Sequence, residues 1–237
     1  MTKRWLAALL TLVLLCTLAG CGDEKTAGID RPQVESGLAQ FAGPQAGDTI
    51  AVFTTSLGEI RAVLYPDEAP MAAANFIGLA QQGYYDGLTF HRVVYGALVQ
   101  SGDATGTGLG GDSIWRGNPY PIEPSEGLRH FAGALCMARS EEDEASALSQ
   151  FYFVQAKPGL DRELKQQMEQ AGVAAEVIDA YEQAGGLPYL DNRYTVFGQV
   201  YEGMEVVDAI AAVEADENGK PLEDVLVETV EILTFEG

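Results

Sequence analysis

The residue types that carry covalent or metal chemistry are scarce in this chain, and their spacing gives them little to do. His91 and His130 are the two histidines, and neither stands at metal-ligand spacing from the other or from Cys136. Cys136 lies in the apolar run 131–138, Phe-Ala-Gly-Ala-Leu-Cys-Met-Ala, where a cysteine serves as a small core residue rather than a nucleophile. Ser101 lacks the context of a nucleophile elbow. Gly106, Gly108 and Gly111 match the glycine spacing of a dinucleotide-binding turn. That turn must open a helix, and the following stretch with Gly117, Pro119 and Pro121 cannot. No metal, cofactor or covalent intermediate is therefore expected. What remains is a charged residue where an apolar one would be ordinary: Arg92, just after Phe90-His91 and before Val93-Val94. A guanidinium does not lose its proton in a protein, so Arg92 is a permanent hydrogen-bond donor in a compact strand.

The elements that must position Arg92 are short and mostly extended. Segments 49–55 and 58–65 are rich in β-formers around Ser56-Leu57-Gly58 and predict a hairpin. Segment 69–82 carries Ala73, Phe76, Ile77 and Ala80 at helical spacing, with Gly83 placed to cap its end. Short strands are expected near 89–94, 97–100, 131–137 and 150–154. Segment 160–184 is charged and amphipathic, broken at Gly172, and reads as two helices; strand 194–201, helix 204–212 and strand 224–234 follow. Many short strands with few helices favour a closed antiparallel barrel, because closure removes exposed edges.

At the other end of the chain, Lys3 and Arg4 precede a twelve-residue apolar stretch, 6–17, that is too short to span a bilayer comfortably and suits a signal peptide. It ends in Leu18-Ala19-Gly20-Cys21, which resembles the lipobox of bacterial lipoproteins, with an ordinary secreted protein or an uncleaved anchor as the competing readings. The expected organisation is a signal peptide over 1–20, an acylated Cys21 opening a flexible tether over 21–47, and a folded domain over 48–237. Stable anchoring takes more than one acyl chain, a condition met by the multiply acylated cysteine of this class. The implied location is the extracytoplasmic face of a cell membrane. The chain of 237 residues has a formal charge of −21; without Lys3 and Arg4 it keeps 12 basic against 35 acidic residues, a net −23. Such a surface repels phosphate backbones and excludes nucleic acid as a partner.

Residues 83–94, Gly-Tyr-Tyr-Asp-Gly-Leu-Thr-Phe-His-Arg-Val-Val, and 100–111, Gln-Ser-Gly-Asp-Ala-Thr-Gly-Thr-Gly-Leu-Gly-Gly, are followed by blocks at 133–138, 149–153 and 190–198. Together they resemble the cyclophilin family, whose signature is a Phe-His-Arg-Val strand followed by Gln-x-Gly-Asp and a glycine-rich loop. The resemblance implies a mainly β fold, an eight-stranded antiparallel closed barrel capped by two helices, here with a helical insertion near 157–188. It implies peptidyl-prolyl cis/trans isomerisation without a cofactor, acting on proline-containing unfolded or exported polypeptides, by a protein expected to be monomeric. Carried over by motif, Arg92 is the catalytic arginine and Gln100 the glutamine beside it. Leu98, Tyr152 and Leu190 fall on the proline pocket, and Ala138 and Arg139 on the edge that pairs with substrate backbone. Four positions depart from the common pattern: Ala97 stands where most active members have a pocket-floor phenylalanine, Tyr189 where tryptophan is associated with cyclosporin binding, Tyr194 where histidine is usual, and Tyr152, a milder change, where phenylalanine is usual. Ala97 keeps a second reading open, a low-activity proline-peptide-binding or chaperone module.

Overall fold

The computed structural model describes residues 28–237, so the expected signal peptide and Cys21 lie outside the described residues. Nine strands form one antiparallel sheet: β1 (Thr49–Thr55), β2 (Gly58–Leu64), β3 (Leu88–Thr89), β4 (Arg92–Val94), β5 (Leu98–Ser101), β6 (Ala134–Met137), β7 (Phe151–Val154), β8 (Thr195–Glu202) and β9 (Leu226–Thr234). Their order is β3-β9-β1-β2-β8-β6-β7-β5-β4. The first and last strands of that order are one continuous segment, 88–94, so the sheet curls back on itself.

The ninth strand corrects the expected eight, and its origin is local. Phe90 and His91 are both buried, at 1% and 7% exposure, and consecutive side chains of a regular strand cannot both face inward. The expected strand over 89–94 therefore breaks in two. Its first half pairs with β9 and its second with β5.

Helix α1 (Pro70–Gln81) turns Ala72, Ala73, Phe76, Leu79 and Ala80 inward, and Pro70 occupies its first turn, where a missing N–H costs nothing. Its free N–H groups at Met71 and Ala72 are satisfied from far away, by the Glu123 carboxylate at 2.9 and 2.8 Å. The Phe76 ring meets Phe53, Phe151 and Phe197 at centroid distances of 5.7, 5.7 and 5.3 Å, forming the centre of the core. Helix α4 (Met204–Ala212) buries Val206, Val207 and Ile210 against the barrel. The insertion folds as two helices, α2 (Arg162–Gln170) and α3 (Ala175–Ala184), held to the barrel by Tyr181 on Phe131 at 4.4 Å.

The tether expected over 21–47 is not free from residue 28 onward. The Arg31 guanidinium grips the Asp208 carboxylate through two contacts, 2.7 and 2.8 Å, and donates to the Ala156 carbonyl. Gln40 is buried, exchanging hydrogen bonds with the Arg129 backbone and Gln199, and Phe41 packs on Phe131 at 4.9 Å. These anchors are single residues without periodicity, which is why the sequence pattern reads as a linker.

Burial alone would raise the Asp208 carboxyl pKa, but hydrogen bonds from Arg31, Gln155 and the Ile29 N–H, with the Arg31 charge, outweigh it and lower it. A carboxyl lowered in the folded state stabilises the fold fully above its unfolded pKa of about 3.9, and that contribution fades as pH falls through the folded value. Asp208→Asn should therefore cost about 2–3 kcal/mol at neutral pH, below the full cost for a deeply buried pair because Arg31 stays in touch with solvent. Urea melts of both proteins should show this gap constant above about pH 5 and closing below pH 4.

Candidate active site

One groove, about 880 Å³ in volume, gathers every catalytic and substrate-binding residue singled out in the sequence. Arg92, Ala97, Leu98, Gln100, Ala138, Arg139, Tyr152, Tyr189, Leu190 and Tyr194 all line it. They come from β4, β5 and the turn between them, β7, and the loops after β6 and around the 3-10 turn Pro188–Leu190. The antiparallel register of β4 and β5 sets Arg92 directly opposite Gln100, and the two side chains meet at 3.4 Å.

That pair rests on a support that sequence reasoning missed. Gln150 accepts from the Gln100 amide at 2.8 Å and donates to the Gly108 and Gly110 carbonyls at 3.0 and 2.7 Å. The glycine-rich loop is folded around Asp103, whose buried carboxylate accepts from the N–H groups of Thr105, Thr107, Gly108 and Gly110. Burial would raise this carboxyl, yet the Thr105 hydroxyl and the backbone donors hold it well below the usual carboxylate range. The loop can lie this close because residue 102 is glycine, with φ of 90°; a Cβ there would meet the Ser149 carbonyl oxygen at 2.4 Å. The discarded glycine pattern thus has a different use: it carries carbonyls that orient Gln150, then Gln100, then Arg92.

The apolar side of the groove is Leu98, Leu190 and the Tyr152 ring, which is only 3% exposed and meets Tyr194 edge-on at 6.2 Å. Tyr189 lines the groove at 55% exposure. The Arg139 guanidinium lies 4.6 Å over the Tyr194 ring, and its Nε donates to the Arg193 carbonyl at 3.0 Å. Beside Arg92 comes a second feature missed in the sequence, the turn carrying Asp216, Asn218 and Lys220. The Asp216 carboxylate accepts from the Asn218 and Lys220 N–H groups, while the Gly219 carbonyl accepts from Val93 at 2.7 Å and docks the turn on β4. Its signal was Asp-Glu-Asn-Gly, a turn sequence whose partner strand is more than a hundred residues earlier.

His91 borders the groove beneath Gly108, and burial pushes its pKa down against the opposing pull of Asp103. Cys136 is fully buried, and burial drives its thiol well above the ordinary value. Its thiol is thereby held in the unreactive, protonated form. The arrangement can bind an extended peptide, seat an apolar ring against Leu98, Tyr152 and Leu190, and present a fixed cationic donor to whatever atom faces Arg92.

Comparison with known proteins agrees with this geometry. The family model for cyclophilin type peptidyl-prolyl cis-trans isomerases matches residues 50–232. A putative peptidyl-prolyl cis-trans isomerase of Staphylococcus aureus (strain USA300) is 38% identical over 188 residues, covering 79% of this chain and 93% of its own. A putative bifunctional phosphatase/peptidyl-prolyl cis-trans isomerase of Streptococcus pyogenes serotype M6 is 40% identical over 203 residues; the match spans 85% of this chain but 41% of that longer protein. Among solved structures, a Cryptosporidium parvum cyclophilin type isomerase crystallised in the presence of the dipeptide Ala-Pro superposes with a TM-score of 0.63 at 25% identity, covering 78% of this chain and 99% of that one. A barrel closed on an arginine-bearing strand, with an apolar pocket and an Arg–Gln pair in one groove, belongs to the family these relatives define: the chain is a member of the cyclophilin type peptidyl-prolyl cis-trans isomerases.

Proposed function

We propose that the protein isomerises Xaa-Pro bonds of exported polypeptides at the outer face of a bacterial membrane, to which an acylated Cys21 ties it. The observation that carries the isomerase chemistry is the ordered chain Gln150–Gln100–Arg92 facing the pocket of Leu98, Tyr152 and Leu190. Rotation about an Xaa-Pro bond crosses a barrier of about 18–20 kcal/mol because twisting destroys amide resonance. In the twisted state the proline nitrogen regains its lone pair and becomes an acceptor. Arg92 donates to that lone pair, an interaction absent from either planar ground state, and such differential binding raises the rate. One charged hydrogen bond supplies about 1.5–3 kcal/mol, one to two powers of ten. The pocket holds the ring while the acyl side turns, and Gln100 keeps the guanidinium in place. The Cryptosporidium relative was crystallised in the presence of a proline-containing dipeptide, Ala-Pro, which supports a proline peptide as the ligand of this groove.

The lipidated location rests on Leu18-Ala19-Gly20-Cys21 and on where the folded part begins. Ile29 and Arg31 are fixed on Asp208, so at most about 30 Å of chain separates Cys21 from the first anchored residue. The barrel then works close to the bilayer, where translocated chains emerge. In a bacterial host, labelled fatty acid should be incorporated into the wild-type protein and not into Cys21→Ser. Failure of the wild type to take up label would overturn the anchored location.

Arg92 is exposed at the groove and holds no core contact, so Arg92→Ala should lower kcat/KM about 10- to 100-fold in a protease-free assay on a proline peptide, with little change in melting temperature. A near-wild-type rate would move the catalytic role elsewhere.

Ala97 favours a second reading, a groove that binds proline peptides but turns them over slowly. It lines the groove with no large side chain above the pocket floor, and a phenylalanine there would restore apolar contact worth part of the roughly 1.5–3 kcal/mol of a buried side chain. Ala97→Phe should therefore lower KM several-fold at similar kcat. A higher KM would mean that the space is occupied, and an unchanged kcat/KM that residue 97 does not meet substrate.

A further inference from the structure

The Tyr152 hydroxyl points away from the groove, into a buried chain of hydrogen bonds that the isomerase chemistry does not use. It meets His130 Nε2 at 3.2 Å; His130 is 1% exposed. On the far side of the imidazole, Nδ1 meets the Asp191 carboxylate at 2.9 Å, and the His130 backbone N–H donates to the same oxygen. The carboxylate in turn accepts the Tyr181 hydroxyl at 2.9 and 2.8 Å, with Arg129 at 3.9 Å. Tyr181 belongs to α3, in the insertion, and its ring is buried on Phe131.

The chain of hydrogen bonds is anchored at its far end. A carboxylate only accepts, so His130 presents an N–H on Nδ1 to Asp191. Nε2 is thereby aimed at the Tyr152 hydroxyl, and that hydrogen bond holds the tyrosine ring in one plane. Burial keeps both tyrosines protonated.

We propose that Tyr181, Asp191 and His130 are positioning residues for the proline pocket: they hold the Tyr152 ring, and through them the insertion helix α3 sets the width of the pocket wall. This rests on the isomerase reading of the groove, but it concerns how tightly a proline ring is held rather than how its bond is twisted. The pocket lacks a large side chain at residue 97, so a locked Tyr152, buried beside Leu98 and Leu190, is left as the aromatic wall of the pocket itself. On this view the insertion is part of the substrate site although Tyr181 touches no substrate.

The test is a double-mutant cycle on wild type, Tyr181→Phe, Tyr152→Phe and the double variant, reading kcat, KM and the dissociation constant of a proline peptide well below all four melting temperatures. Tyr181→Phe keeps the ring on Phe131 and deletes only the hydroxyl. It should raise KM and the dissociation constant about fivefold, the worth of one hydrogen bond, with kcat within twofold. Made in the Tyr152→Phe background, the same change should have no effect, because the link it acts through is gone. An unchanged KM for Tyr181→Phe, or the same loss with and without the Tyr152 hydroxyl, would overturn the proposal. The wild-type turnover reads the isomerase activity, whereas the cycle on dissociation constants reads the relay, so failure of either is told apart from failure of the other.

Discussion

Segment 88–94 hydrogen-bonds in two directions, to β9 through Leu88–Thr89 and to β5 through Arg92–Val94, and the curled sheet depends on that double commitment. A strand held on one side only would leave a row of unpaired backbone groups, and this segment is where the barrel meets itself. The break at Phe90-His91 lets one short stretch serve both neighbours. It also places Arg92 on the groove face at the start of the second half, where the ladder fixes its position against Gln100. The group proposed to act on substrate is thus held by the same hydrogen bonds that join the two ends of the sheet, and needs no separate scaffold.

Charge is distributed with the same economy. In a chain of net −21, Arg31, Arg61 and Lys165 are engaged with carboxylates on the body of the protein, while Arg92, Arg139 and Lys220 line the groove. Arg139 is steadied by an aromatic face and a backbone carbonyl instead of an acid, so its charge is not cancelled in place. Glu141 and Asp216 border the groove as well, and Asp216 turns its carboxylate onto backbone N–H groups. The groove is accordingly less negative than the surface around it.

How much of this was legible in the sequence follows the range of the interactions. The hairpin of β1 and β2, helix α1 and the pair α2–α3 broken near Gly172 are written in local periodicity and turn residues, and they fold where expected within a residue or two. The ten groove residues were found through motif blocks, because each block carries its residue at a set offset within one strand or loop. Gln150, the turn at 216–220 and the Asp191–His130–Tyr152 chain were not, since each acquires meaning only from a partner tens of residues away. The strap over 28–47 failed to announce itself for the opposite reason: Arg31, Gln40 and Phe41 are isolated residues in a glycine- and alanine-rich stretch, and no pattern exists until Asp208, Gln199 and Phe131 supply it. Glu123 at the start of α1 is another such case, a cap 52 residues from the helix it serves.

Strand β9 lies between β3 and β1, so the last element of the chain separates two of the earliest. Until segment 226–234 is available β3 has no partner and β1 lacks its second one, and the strap waits for Asp208 in α4. A polypeptide emerging N-terminus first can form its hairpin and helices on the way, but the barrel closes only when β9 joins β3 to β1. If the chain is exported as proposed, this arrangement would leave the barrel unclosed until segment 226–234 has crossed the membrane.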